Sequence, residues 1–362
     1  MLQCLNMKLL FDARYIRTDF HDGISRFSTE LGKALLKLTP VTFIVSDIKQ
    51  RDLINPKADY VMAPAPGILT EPSMSRLMNQ YNPDVVFSPL QTFGAAGRTF
   101  KLILSSHDMI YYHFRKPPTG LPALVSIGWY LYHLTYAPQR LNLNSADVVA
   151  TVSHTTQRDF ERTKLTKRPI VVIPNAPQDL AKFVRTVDQS AAPKNIVYMG
   201  SFMPYKNVET LIKGMEWLPG RTLHLTSRIS LKRQAEFDKI TPKGAQIVYH
   251  NGVTDEAYAQ LLANNAVLAS ASLYEGYGLP IAEALALGVP AVVSDIPIFH
   301  EVAAGGAQYF DPADPKDFAK HVKEFDSQAV RDHHIKNGKA HISSFTWKAS
   351  AQALLNTIKS LV

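Results

Sequence analysis

Short runs rich in branched aliphatic residues recur along the whole chain, separated by stretches with helical spacing. KLLFDA, VTFIV, DVVFS, KLILSS, DVVATVS and IVVIPN occupy the first half. NIVYMGSF, TLHLTSR, AQIVYH, AVLASAS, PAVVSD and AQYFDP occupy the second. Several of these runs are apolar without alternation. A strand covered on one face alternates apolar and polar residues, whereas one covered on both faces reads as an unbroken apolar run. Strands of that kind, alternating with helices, build parallel sheets flanked by helices on both sides. The spacing predicts helices over Ser25–Leu38, Ser73–Tyr81, Leu124–Asn144 and Thr155–Thr163, then over Val208–Trp217 and Asp255–Asn264. A last helix, about Trp347–Ser360, follows SSFT, which supplies a Ser or Thr cap.

At 362 residues the chain exceeds one ordinary core, and two domains of about 150–200 residues each are expected. The strand–helix pattern lapses into polar, proline-containing sequence and then restarts. The expected division is an N-terminal α/β domain over 1–176, a linker over 177–194 and a second α/β domain over 195–345. Residues 346–362 form a helix expected to pack back on the first domain. A hydrophobic fraction of 46% is that of a water-soluble globular chain. No run approaches the roughly 18 apolar residues of a membrane-spanning helix. The start, MLQCLNMKLLFDAR, lacks the long apolar stretch of a signal peptide, and Met7 is an alternative start. Cys4 is the single cysteine, so no disulfide forms within the chain, in keeping with a reducing cytoplasm. The net charge of +8 favours anionic partners. Without a Lys/Arg block or zinc-finger spacing, nucleic acid is the least favoured of these.

One stretch stands apart: SLYEGYGLPIAEALALGVPAVVSD, Ser272–Asp295. It sets two carboxylates, Glu275 and Glu283, in a segment otherwise almost uncharged. AVLASASL reads as a strand, with Glu275 just past its carboxyl end, where open α/β sheets bind ligands. Gly276 and Gly278 let the backbone turn tightly and approach a ligand. Pro280 suits the first turn of a helix predicted over Ile281–Leu287. The free N–H groups at such a helix start form an anion site. Glu283 is one turn in, too far along for a capping-box acid if Leu279 is the cap. A dipole-favoured first-turn glutamate would explain one acid but not both, nor the glycines.

EGYGLPIAEALALGVPAVVSD resembles the signature of retaining glycosyltransferases of glycosyltransferase family 4, enzymes of GT-B architecture. The resemblance implies two Rossmann-like α/β domains facing across a cleft. It also implies that Glu275 contacts donor-sugar hydroxyls and that Glu283 holds the ribose hydroxyls of the nucleotide. A carboxylate suits a diol because it accepts two hydrogen bonds. The amides of Gly278, Leu279 and Ile281 would line the sugar and phosphates. HDGISRF resembles the family's N-terminal loop, with Gly23 letting the backbone approach phosphate. SSHDMIY resembles its HD segment, giving His107 a donor-sugar hydroxyl. MGSFMPYKN resembles the start of its second domain, with Gly200 and Ser201 in the nucleotide-sugar site and Lys206 as the phosphate lysine. TVSHTTQRDF, VIPNAP and SDIPIFHEVAAGGAQYFDPADP continue the likeness. Outside that context a lone histidine is more often a buried, satisfied side chain, and a lone lysine an ordinary surface one.

The chain departs from the family in one respect. An arginine near the phosphate lysine is common there, but the corresponding positions here hold Ser201 and Tyr205. Arg228, at the end of TLHLTSR, is the expected substitute. The chemistry implied is transfer of a hexose, mannose favoured, from a nucleotide-diphosphate sugar, GDP-mannose favoured, to a glycan or lipid-linked acceptor. No cofactor and no metal is expected, since no Asp-x-Asp lies near a predicted strand end. DMIYYHFRKPP and GWYLYHL place aromatic and basic residues in the first domain, where they would either pack on the sheet or touch an acceptor at a membrane surface. Two alternatives stay open: a sugar-nucleotide-binding protein without turnover, and a sugar-nucleotide epimerase of similar architecture. A dinucleotide-dependent dehydrogenase is less favoured, because no G-x-G-x-x-G follows the first strand.

Overall fold

The computed structural model describes residues 7–19, 22–117 and 122–362. The expectations on Cys4 and the leader lie outside these residues, as does His21 of HDGISRF. The chain divides into two compact units, residues 1–175 with 346–362, and residues 176–345.

Unit 1 is built on a seven-stranded parallel sheet: β1 (Leu9–Asp12), β2 (Thr42–Val45), β3 (Asp59–Met62), β4 (Val85–Ser88), β5 (Lys101–Ser105), β6 (Val148–Thr151) and β7 (Ile170–Val172). Their order across the sheet is β3-β2-β1-β4-β5-β6-β7. β1, β4 and β6 are buried along their whole length, which is why they read as unbroken apolar runs. Leu10, Val86, Leu102 and Leu104 pack with Met74, Met78 and Phe93 on one side of the sheet. The helix Trp347–Lys359 closes unit 1 against the helix Gly23–Leu36. Trp347 meets Phe27 at 6.1 Å between ring centroids, and Ser350 Oγ donates to the Pro174 carbonyl at 2.6 Å. Thr346 caps that helix, accepting from the Ala349 N–H at 3.1 Å.

Unit 2 repeats the design with six parallel strands: β8 (Asn195–Tyr198), β9 (Thr222–Leu225), β10 (Gln246–Tyr249), β11 (Ala266–Ser270), β12 (Ala291–Ser294) and β13 (Ala307–Phe310). Their order is β10-β9-β8-β11-β12-β13. Ile196, Leu211, Leu223, Val267, Val292 and Phe318 form its core. Much of the expected linker is docked on this unit. Asp188 exchanges backbone hydrogen bonds with Ala263 and Asn265, both at 2.7 Å, and Gln189 Nε2 donates to the Leu262 carbonyl at 3.3 Å. The buried Arg331 guanidinium donates to the carbonyls of Gln189 and Asp326 at 3.2 and 3.0 Å. The polar residues of 177–194 thus act as ties, and unit 2 begins at Ala176.

Some helices, among them Ile48–Ile54 and Gln328–Ile342, were not predicted, and three further elements differ from expectation. The helix predicted over Leu124–Asn144 is two, Ala123–Tyr132 and Ala137–Asn144. The helix predicted from Ile281 begins at Leu279. β3 is an added edge strand with mostly exposed side chains.

Candidate active site

In unit 2 the chain builds β8, moves outward to β9 and β10, then returns to lay β11 on the other side of β8. Strand order reverses between β8 and β11, and open α/β sheets bind ligands at such a switch point. Lys206 follows β8 and Glu275 follows β11. The two loops are joined by the Leu273 N–H, which donates to the Tyr205 carbonyl at 2.8 Å. The short turn Pro204–Lys206 ends at Asn207 in left-handed conformation (φ 51°), and Asn207 Nδ2 is anchored to the Pro312 carbonyl at 2.8 Å. So held, Lys206 Nζ donates to Glu275 Oε1, the two side chains being only 17% and 12% exposed. Ser272 Oγ donates to the same oxygen at 2.7 Å, and Lys206 Nζ lies 5.3 Å from the centre of the Tyr205 ring. Ser272 was not among the expected residues. Its one signal is its position, a serine three residues before the acid on the strand's exit; its full burial is seen only in the structure.

Glu283 belongs to the helix Leu279–Leu287. Gly278 is its cap, with φ 106°, and Pro280 sits in its first turn. At the far end Gly288 turns left-handed and the Val289 N–H reaches the Ala284 carbonyl at 2.9 Å. With Gly278 as cap, Glu283 is the fifth helical residue, past the first turn where the dipole favours acids. It is also 5% exposed, an unusual place for a carboxylate. Of the amides expected at this helix start, that of Ile281 donates to the Gly278 carbonyl at 3.0 Å.

Gly200 lies just past β8, where an added Cβ would come within 2.9 Å of the Tyr198 hydroxyl. That hydroxyl donates to the Ser201 carbonyl at 2.6 Å, and the Gly200 N–H donates to Ser227 Oγ at 3.1 Å. Glycine is therefore the residue that fits the turn, and Ser201 is held exposed beside it. Arg228 is three residues beyond β9, exposed, with its Cγ 3.2 Å from where a Cβ on Gly252 would stand.

Two candidates lie in unit 1. His107 follows β5, its Nε2 2.8 Å from the Pro89 carbonyl and its ring edge-on to Phe27 at 4.9 Å. Burial pushes its pKa below the ordinary histidine range. The neutral ring then carries its proton on Nε2, toward the carbonyl, and presents Nδ1 as an acceptor. Gly23 opens the helix Gly23–Leu36, behind the Asp22 cap. The sequence reading missed a buried ionic group at the β1/β4 switch point of this unit. Arg14 Nε pairs with Asp12 Oδ1 at 2.8 Å, and its Nη1 with Glu71 Oε1 at 3.0 Å. Arg14 and Glu71 are 57 positions apart, so nothing local announces that half of the group. Among the described residues, no three His, Cys, Asp or Glu side chains converge as a metal-ligand group.

The sequence profile of Glycosyl transferases group 1 matches residues 182–341, and that of Glycosyltransferase Family 4 matches residues 21–176. The serotype-specific mannosyltransferase WbdA of Escherichia coli is 30% identical over 177 residues, which is 46% of this chain and 21% of that relative. The O-antigen chain mannosyltransferase B of Escherichia coli is 27% identical over 243 residues, 61% of this chain and 62% of that one. Each match thus spans less than two thirds of the relative's own length. Among solved structures, sucrose-phosphate synthase from Thermosynechococcus elongatus has a TM-score of 0.75 at 16% identity, over 98% of this chain and 99% of that one. HepE from Anabaena, solved in complex with UDP and glucose, has a TM-score of 0.68 at 16% identity, over 98% of this chain and 100% of that one. These likenesses are of fold. With a family profile on each of its two Rossmann-like units, the chain belongs to the family 4 glycosyltransferases of GT-B architecture.

Proposed function

We propose that the chain is a metal-independent retaining glycosyltransferase that moves a hexose from a nucleotide-diphosphate sugar to a glycan or lipid-linked acceptor. The Lys206–Glu275 pair at the β8/β11 switch point carries this reading. A cation and a carboxylate held together suit a donor that is anionic at one end and a polyol at the other. Mannose, and GDP-mannose as donor, are favoured because curated relatives bear mannosyltransferase names. The place of action is the cytoplasm, at the inner face of the membrane.

In this reading Lys206 leaves Glu275 for the diphosphate, and Glu275 takes donor-sugar hydroxyls. Glu283 holds the ribose diol, and the amides of Gly278 and Leu279 face the phosphates. Gly200 and Ser201 border the nucleotide, and Arg228 adds the second cation. His107 accepts from a sugar hydroxyl, and Gly23 lets unit 1 backbone approach phosphate. The bond from the anomeric carbon to the diphosphate oxygen breaks, its electron pair leaving with the phosphate. Lys206 and the helix N-terminus stabilise that charge. The acceptor hydroxyl attacks from the face the diphosphate leaves, and the departing oxygen takes its proton. Configuration is thereby retained.

Incubation with GDP-mannose, UDP-glucose or ADP-glucose tests the reading, with thermal shift for binding and NMR of the product anomer for outcome. Transfer with retention, unchanged by excess chelator, is expected. An inverted product, or activity that chelator abolishes and magnesium restores, would sink it. Ser201 and Tyr205 stand where a second cation is common, which favours a binder without turnover as the second reading. A donor that binds and is neither hydrolysed nor transferred would decide for that.

A further inference from the structure

Between β5 and β6 the helix Ala123–Tyr132, ALVSIGWYLY, carries no charge, and none of its residues is buried. Leu124 is 83% exposed, Ile127 56% and Leu131 58%; in the next helix, Ala137–Asn144, Leu141 is 76% exposed. A helix on a globular surface ordinarily buries one apolar stripe and shows a polar face to water. This one leaves even its inner face, Ser126, Trp129 and Tyr132, only half-buried and shows an apolar face to water, and exposed apolar surface of that kind marks an interaction site.

The surrounding charge selects the occupant. From Ile110 to Ala146 the sequence holds Arg115, Lys116 and Arg140 and no carboxylate. Arg140 donates to the carbonyls of Thr163 and Lys164 at 2.6 and 3.0 Å, and Arg168 Nε donates to the Asn144 carbonyl at 2.9 Å. These bonds set the exposed Lys164, Lys167 and Arg168 along the second helix. Asp159, from the neighbouring helix His154–Arg162, is paired to Arg162 at 2.9 Å. Aromatic rings gather at the same place: Trp129 meets Tyr111 at 4.7 Å and His133 at 4.5 Å, and Tyr130 is 47% exposed. Exposed aliphatic side chains, a Trp/Tyr collar and a border of cations are what an anionic bilayer surface receives. A second copy of the chain would bring the same cations against each other. We propose that these two helices are a monotopic anchor that seats unit 1 on an anionic lipid surface. The inference deepens the acceptor half of the proposed function, placing a lipid-linked acceptor beside unit 1, but its test does not depend on transfer.

The full chain is sedimented with vesicles of phosphatidylcholine alone and of phosphatidylcholine mixed with phosphatidylglycerol. Binding to the mixed vesicles, weakened by salt, is expected. Leu124→Ser/Ile127→Ser/Leu131→Ser should lower the bound fraction on the order of tenfold. Its melting temperature and its thermal shift with GDP-mannose should match those of the parent, since none of the three residues is buried. Arg115→Ser/Lys116→Ser should weaken binding to mixed vesicles only. A parent chain that stays in the supernatant overturns the proposal, as does a triple variant that binds like the parent. A dimer in sedimentation velocity that the triple variant abolishes assigns the face to a second copy instead. Vesicle binding without any donor-induced thermal shift supports the anchor while removing the donor chemistry proposed above.

Discussion

Lys206 and Glu275 are 69 positions apart, yet they share a hydrogen bond. Each has a second task in the proposed function, so the donor must compete for both. Neutralising Glu275 removes the competitor for Lys206 without removing the lysine. Glu275→Gln is therefore expected to leave nucleoside-diphosphate affinity unchanged or raised while transfer slows. The loss of a charged hydrogen bond is about 1.5–3 kcal/mol, roughly 10- to 100-fold in rate. Lys206→Met should instead weaken the diphosphate by a similar factor. Calorimetry beside rate measurements separates them, and parallel losses in Glu275→Gln would contradict the exchange of partners. Arg228→Ala should weaken the nucleoside diphosphate and leave the nucleoside untouched; equal affinities of parent and variant for the diphosphate would remove Arg228 from the site. At this scale the acids were legible because strand exit, glycine turn and helix start sit together in one run. The salt bridge was not, since its halves come from loops that meet only when β11 is laid beside β8.

The helix Leu279–Leu287 is the element that local rules describe best, with glycine at both ends and proline in its first turn. Gly278 carries the constraint. Its φ of 106° disfavours any side chain, and an added Cβ would lie 3.1 Å from Phe299 Cε1. Gly278→Ala should cost about 1–2 kcal/mol of stability and loosen donor binding, because the helix start shifts. Gly244→Ala is the control: its φ is 85°, but a Cβ there meets nothing within 4 Å. Urea unfolding of both variants, with donor titration, measures the difference. Equal donor affinity in the two would show that the start of this helix is not part of the site. Other elements were less legible for physical reasons. β3 is an edge strand with three of its four residues exposed, so neither face imposes an apolar rhythm. Leu124–Asn144 looked continuous because an apolar helix buried on no side has no periodicity to lose. Pro138, in the first turn of Ala137–Asn144, was the overlooked marker of a new start.

Across the molecule six described histidines, His107, His113, His133, His224, His250 and His334, have pKa values lowered chiefly by burial. Between the ordinary value of about 6.5 and the lower folded values, the unfolded chain binds protons that the folded chain refuses. Stability is then full above that window and falls as pH drops through it. His224 and His250 sharpen the effect, with ring nitrogens 3.0 Å apart, since a proton on one repels a proton on the other. Urea midpoints measured from about pH 7.5 to about pH 5.5 should fall steadily; a flat or rising profile would contradict it. The two-unit plan was legible at this scale, because each parallel sheet announces itself in unbroken apolar runs. The docking of 177–194 was not, since polar residues read alike whether solvated or tied to carbonyls. The return of the last helix to unit 1 bears on biosynthesis. Ala351, Leu354 and Ile358 are fully buried there, against residues made more than three hundred positions earlier. A ribosome delivers unit 2 whole before it delivers the piece that completes unit 1. The first unit to be translated is thus the last to be finished, and its open face needs shelter in the interval. Nascent chains stalled short of Thr346 should show unit 2 resistant to protease and unit 1 still digestible; equal resistance of both would mean that the final helix is dispensable for closing unit 1.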